Sequence, residues 1–169
     1  MSAAMPRKSR IDLIPANVRE EIDKWIAKYP PDQKRAAVMA ALRLVQETHG
    51  NMLTPELIEA VAEYLEMPAI AVNEVATFYS MYNLKPVGRH EVCVCTNISC
   101  MLCGSDRVTE HLQKKLGVGF GETTKDGRFT LKEVECLGAC VGAPMMQVDK
   151  TYYEFLTPSK IDEILAKYT

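Results

Sequence analysis

No stretch of this 169-residue chain reaches the ~18 apolar residues that a membrane-crossing helix needs, so direct insertion into a bilayer is not expected. Basic charge is not in excess either. Twenty Lys and Arg against 22 Asp and Glu leave a net charge of −2, which gives no electrostatic footprint for nucleic acid or an anionic membrane surface. Arg7, Lys8 and Arg10 near the start read as a solvated tail. The first residues lack the apolar segment of a secretory leader. Without export, the six cysteines are not expected to form structural disulfides. No Ser/His/Asp arrangement or carboxylate pair stands out, so no hydrolytic site and no catalytic residue is expected. The run Gly117 to Gly121 (GVGFG) follows a helical pattern, not a strand, which argues against a dinucleotide loop. Internal repeats and low-complexity tracts are also missing.

What is present reads as a folded α+β chain in two parts. Residues 1–14 form an expected flexible lead. Residues 15–83 carry four short amphipathic segments. Pro15 opens the first, with Val18, Ile22, Trp25, Ile26 and Tyr29 at helical spacing. Pro30-Pro31 ends it, and a second helix is expected from Asp32 to His49, burying Val38, Leu42 and Val45, with Gly50 as its stop. Thr54-Pro55 is a capping hydroxyl followed by proline at the first helical position, with Leu57, Ile58, Val61 and Leu65 beyond it. Met67-Pro68 breaks that helix, and a fourth is expected over Ala69 to Asn83 through Val72, Val75, Tyr79 and Tyr82. Helices this short must bury their stripes on one another, which predicts a small bundle.

Residues 84–88 read as a linker, and the period then changes. Arg89 to Cys95 alternates as a strand, and Ser105 to Leu116 is a helix with Val108, Leu112 and Leu116 inward. Phe129 to Val134 is a second strand. Met145–Val148 and Tyr152–Phe155 make a hairpin around Asp149-Lys150-Thr151. Thr157-Pro158 caps a last helix that turns Ile161, Ile164 and Leu165 inward. Residues 89–169 are therefore expected as a strand, a helix, further strands and a helix.

All six cysteines lie in two segments, VCVCTNISCMLC (92–103) and ECLGACVGA (135–143), each at a strand end. Four residues separate Cys95 from Cys100 and three separate Cys136 from Cys140. Four thiolates on two loops suit zinc or an iron–sulfur cluster. Structural zinc prefers tighter pairs, so the wider gaps favour a [2Fe–2S] core, whose two irons each take two ligands. Gly138, Ala139, Gly142 and Ala143 would let backbone N–H groups approach the sulfurs and tune the reduction potential. The spacing leaves the ligand set open. Cys95, Cys100 and Cys103 also fit the plant-type ferredoxin run, and Cys100/Cys103 also fits a redox CxxC, as in a stand-alone thiol oxidoreductase. Cys93 alternates with strand side chains and reads as packing. His49 and His111 are expected to face solvent, and His90 has no spacing that supports a role.

Three motifs in order, Glu74 to Tyr82 (EVATFYSMY), Cys95 to Cys100 (CTNISC) and Glu135 to Cys140 (ECLGAC), carry a resemblance. From about Ile11 onward the chain is similar to the NuoE-type [2Fe–2S] subunit of NADH:quinone oxidoreductase, respiratory complex I. The resemblance implies a helical N-terminal region and, over 89–169, a thioredoxin-like [2Fe–2S] ferredoxin domain. It places the ligands on Cys95, Cys100, Cys136 and Cys140, and so leaves Cys103 out. It further implies an electron-transfer role near the flavin mononucleotide of a partner subunit, where NADH is bound and oxidised. The implied neighbours are that flavin- and [4Fe–4S]-bearing subunit and a large iron–sulfur subunit. The implied location is cytoplasmic, peripheral to the inner membrane. Similar subunits serve NAD-reducing hydrogenases and NAD-dependent formate dehydrogenases, which remain the alternative assemblies.

Overall fold

The computed structural model describes residues 9–168, and the chain divides after Pro86 into two compact units, each with its own core. Residues 1–8 of the expected lead lie outside the described part. The rest of that lead is not loose. Ile11–Leu13 form a 3-10 turn, and Ile14 is fully buried with Val18 and Ile22. Arg10 fixes the turn, its N–H donating to Glu63 Oε2 at 2.8 Å and its guanidinium pairing with Glu59 at 2.8 Å.

Helix α1 (Ala16–Ile26) buries Val18 and Ile22 and packs Trp25 and Ile26 at its edge. It stops short of Tyr29, which is exposed, because the Pro30-Pro31 pair draws the preceding residues out of helical angles. The expected second helix begins as a 3-10 stretch, Pro31–Ala37, broken at Gln33 (φ −113°, ψ 30°). It becomes regular only at α2 (Val38–Thr48), where Val38, Ala41, Leu42 and Val45 supply a stripe to bury. Residues 32–35 have no such stripe and so gain nothing from regular helix. In α3 (Pro55–Tyr64), the Thr54 hydroxyl accepts the Leu57 N–H at 3.3 Å. Helix α4 (Ala69–Phe78) ends at Phe78 rather than Asn83. Thr77 Oγ1 donates back to the Asn73 carbonyl at 2.8 Å, and Tyr79 is extended. Beyond it the chain turns inward on long-range bonds. The Tyr82 hydroxyl donates to Met39 O at 2.9 Å, and the Gln46 amide bridges Met81 O (3.1 Å) and the Asn83 N–H (2.7 Å). A continued helix would forfeit these bonds, which satisfy buried polar groups.

The second unit is a four-stranded sheet in the order β2-β1-β3-β4. Strands β1 (His90–Cys95) and β2 (Phe129–Val134) run parallel, in register from His90↔Phe129 to Cys95↔Val134. Strand β3 (Met146–Val148) is antiparallel to β1, and β4 (Thr151–Tyr153) closes a hairpin tighter than expected: Thr151 pairs with Val148, so only Asp149-Lys150 turn, and Phe155, at φ +50°, lies beyond the strand. Val92, Val94, Leu131, Met146 and Val148 share one face. On it lie α6 (Ser105–Leu116), through Val108 and Leu112, and α7 (Pro158–Leu165), through Ile161 and Ile164. Before α6 lies a short helix that the periodicity misses, α5 (Ile98–Leu102). The imidazole of His111 ties α6 to α7 through Asp162 Oδ1 at 2.9 Å. That hydrogen bond holds the Asp162 carboxyl below its ordinary range. His49 bonds the Val45 and Leu13 carbonyls at 2.8 and 3.1 Å, and His90 bonds Asp149 at 2.8 Å. His49 and His111 are thus partnered and only partly exposed, a correction to the solvent-facing reading.

Phe129 is 1% exposed at the start of β2. Phe129→Ala is expected to cost about 3–5 kcal/mol, lost transfer energy plus the cavity left behind. Urea unfolding of the chain should show a lower midpoint at unchanged slope. An unchanged midpoint would remove Phe129 from the core.

Candidate metal centre

Parallel pairing fixes the site, because it brings the C-terminal ends of β1 and β2 side by side. Cys95 is the last residue of β1 and pairs with Val134, the last of β2. The Thr96 N–H still reaches Val134 O at 3.3 Å, so both chains leave the sheet at the same point. Two segments some forty residues apart in sequence therefore enter one neighbourhood.

On the first side, the Asn97 side chain accepts the Ile98 N–H at 2.9 Å and starts α5. This single turn carries Cys100 back beneath the strand end. Cys95 and Cys100 are both nearly inaccessible and pack with Met145, with Leu137, Ala139 and Ala143 around them. Burial pushes the Cys100 thiol up to about 11; its hydrogen bond with Cys95 and the proximity of Cys95 and Cys140 push the same way, while the Met145 backbone pulls it down. A buried thiol of this kind lacks the depressed pKa that a reactive dithiol requires. A bound metal would instead take it as thiolate.

On the second side, Cys136 and Cys140 are exposed. The Cys95 thiol lies 3.8 Å from the Glu135 carbonyl, which joins the two loops. Gly138 has φ +74°, a conformation open to glycine, and its N–H donates to Cys136 Sγ at 3.3 Å. Cys140 begins a 3-10 turn, Cys140–Gly142. Gly142 is required there, since a Cβ would collide with the Glu154 side chain. Strand β4 and the segment after it pin this loop from outside. The Tyr152 hydroxyl donates to Leu137 O at 2.9 Å, Phe155 N–H to Gly142 O at 2.7 Å and Leu156 N–H to Pro144 O at 2.9 Å.

Cys103, at the end of α5, is exposed, with its N–H on Ser99 O. Cys93 is partly buried on the sheet face opposite Val92 and Val94, and burial raises its thiol to about 11. Among the described residues, no three His, Cys, Asp or Glu side chains converge as one metal ion would require. Four thiols in two sequence pairs would supply the two sulfurs that each iron of a two-iron core takes. The free thiols, the Gly138 donor and the small residues of the loop fit such a group. Sequence reasoning missed α5, Met145 and Tyr152. Asn97 before an apolar residue was the available signal for α5, while the other two are identified only by contacts across the fold.

Apolar side chains surround the site in the open: Ile98, Leu102 and Phe155 are exposed, and Val141 is 95% exposed. No helix among the described residues is long and apolar enough to cross a membrane.

The family model of the thioredoxin-like [2Fe–2S] ferredoxins matches residues 22–169. A relative from Rickettsia felis, named as a subunit of NADH-quinone oxidoreductase, is 48% identical over 153 residues, covering 90% of each chain. The corresponding subunit of the same enzyme from Rhizobium meliloti is 44% identical over 151 residues, covering 89% of this chain and 88% of that one. Among solved structures, an NAD+-reducing [NiFe]-hydrogenase superposes with a TM-score of 0.65 at 19% identity, over 78% of this chain and 22% of the hydrogenase chain. That last likeness is one of fold.

Proposed function

Since this chain belongs to the thioredoxin-like [2Fe–2S] ferredoxin family and is of the NuoE type, we propose that it is an electron-transfer subunit of NADH:quinone oxidoreductase. In this reading Cys95, Cys100, Cys136 and Cys140 hold one [2Fe–2S] cluster. The flavin mononucleotide and NADH belong to a partner subunit that also bears a [4Fe–4S] cluster, with a large iron–sulfur subunit beyond it. The assembly lies peripheral to the membrane on the cytoplasmic side.

The observation that carries the reading is the parallel pairing that ends at Cys95↔Val134 and delivers both cysteine loops to one end of the sheet. A bound [2Fe–2S] core supplies a one-electron centre that gains one negative charge on reduction. The chain's own residues set how costly that charge is. The deep placement of Cys95 and Cys100 penalises it, while exposure at Cys136 and Cys140 and the Gly138 N–H on Cys136 Sγ ease it. No proton-transfer group is needed, and the chain holds the centre at a fixed place for its neighbours.

The test is anaerobic visible absorption of the purified chain, with electron paramagnetic resonance after dithionite reduction. A red-brown protein with a spin-one-half signal is expected. A colourless, iron-free protein after anaerobic reconstitution would sink the reading.

A further inference from the structure

Tyr152 and Gly138 act on one peptide unit from opposite sides. The Leu137 carbonyl accepts the Tyr152 hydroxyl at 2.9 Å, and the N–H of the same peptide, on Gly138, donates to Cys136 Sγ at 3.3 Å. A trans peptide is planar, with its C=O and N–H pointing in opposite directions. Fixing the carbonyl toward Tyr152 therefore fixes the N–H toward the sulfur.

The alternative orientation is close by. Gly138 at φ +74° has the angle of the third residue of a type II turn. Reversing the Leu137–Gly138 peptide gives the type I form, with φ near −90° at that residue and little change elsewhere. The reversed peptide would aim a carbonyl oxygen at Cys136 in place of a donor. Glycine tolerates both forms, so a single hydrogen bond can decide between them. Tyr152 lies on β4, paired with Gln147 of β3, and is 48% exposed, so its ring is not part of the core.

We propose that Tyr152 is a positioning residue for the metal centre. Its hydroxyl locks the Leu137–Gly138 peptide in the orientation that presents an N–H to the Cys136 sulfur, and so raises the reduction potential of the centre. This rests on the [2Fe–2S] reading and on Cys136 as a ligand. An N–H directed at a thiolate stabilises added negative charge, and an oxygen does the reverse.

The experiment compares the cluster-loaded full chain with Tyr152→Phe and Gly138→Ala by redox titration followed by paramagnetic resonance. In parallel, exchange of the Gly138 amide is read by NMR in the metal-free, thiol-reduced chain. Tyr152→Phe should weaken the affinity for the electron about tenfold, a midpoint about 59 mV more negative for one electron, and should speed Gly138 amide exchange. A Cβ at Gly138 meets open space, so Gly138→Ala acts through the positive φ alone and should shift the midpoint the same way. The double variant should shift less than the sum, since both act on one peptide. A loaded Tyr152→Phe protein with an unchanged midpoint would overturn the proposal, because a purely structural tyrosine would alter stability and leave the potential alone. If Tyr152→Phe does not load, unchanged protection of the Gly138 amide overturns it and faster exchange supports it. Absence of any cluster in the unaltered chain would instead refute the proposed function, and the amide readout would still decide the peptide lock.

Discussion

Cys136→Ser and Cys140→Ser should each abolish the reduced [2Fe–2S] resonance of the purified chain, while Cys103→Ser and Cys93→Ser should leave it. The first pair lies on the loop that leaves β2, where the Glu135 carbonyl meets the Cys95 thiol and the Gly138 N–H meets the Cys136 sulfur. Replacing either sulfur removes a soft ligand and puts a harder oxygen, ordinarily protonated, in its place. Iron content and visible absorption should fall with the resonance. Cys95→Ser and Cys100→Ser should do the same, with an added stability cost, because both side chains are nearly inaccessible and packed with Met145. Cys103 differs, being exposed at the end of α5. Cys93 stands two residues back along β1, opposite Lys132 in the register and Gln147 on the other side. A full signal from Cys136→Ser, or its loss in Cys103→Ser, would reverse the ligand assignment. The plant-type set of Cys95, Cys100 and Cys103 would then return.

Removing residues 1–86 should leave a chain that still folds and loads the cluster but no longer joins the flavin-bearing partner proposed above. The physical ground is that each unit buries its own core. Ile22, Leu42, Leu65 and Val72 belong to one, and Val92, Leu112, Phe129 and Ile161 to the other. All four proposed ligands lie in the second. The first unit has no cysteine, but it leaves large apolar side chains in the open. Ile70, Met81 and Leu84 are exposed, and Phe78 is 80% exposed at the end of α4. Aromatic and aliphatic anchors of that kind are the usual centre of a protein interface. Co-purification with the flavin subunit is the measurement. Full retention of the partner by residues 87–169 alone would refute a docking role for the helices, and loss of the cluster would mean that the second unit does not stand alone.

Local chemistry was readable from the sequence wherever a cap or a strict period marked an element. Thr54-Pro55 and Thr157-Pro158 start helices as expected, with each hydroxyl on the N–H three residues on. The stripe of Val108, Leu112 and Leu116 gave α6 its bounds, alternation gave β1, and Phe129, Leu131 and Val134 marked β2. The spacing of the cysteines limited the chemistry to a thiolate metal centre or a dithiol, and the three motifs identified the family. The sequence alone could not supply what depends on residues distant in the chain. Helix α4 ends at Phe78 because Gln46 and Met39, more than thirty residues away, hold the turn that follows. Helix α5 is a single turn stabilised by its cap and by the buried Cys100, too short to leave a period. Above all, nothing local distinguishes a parallel from an antiparallel partner for β1. Only the tertiary pairing of Cys95 with Val134 brings the loops together, and only the return of β4 brings the Tyr152 hydroxyl to the Leu137 carbonyl. Short-range order follows from neighbouring residues, whereas the site depends on contacts whose loop-closure cost the buried core offsets.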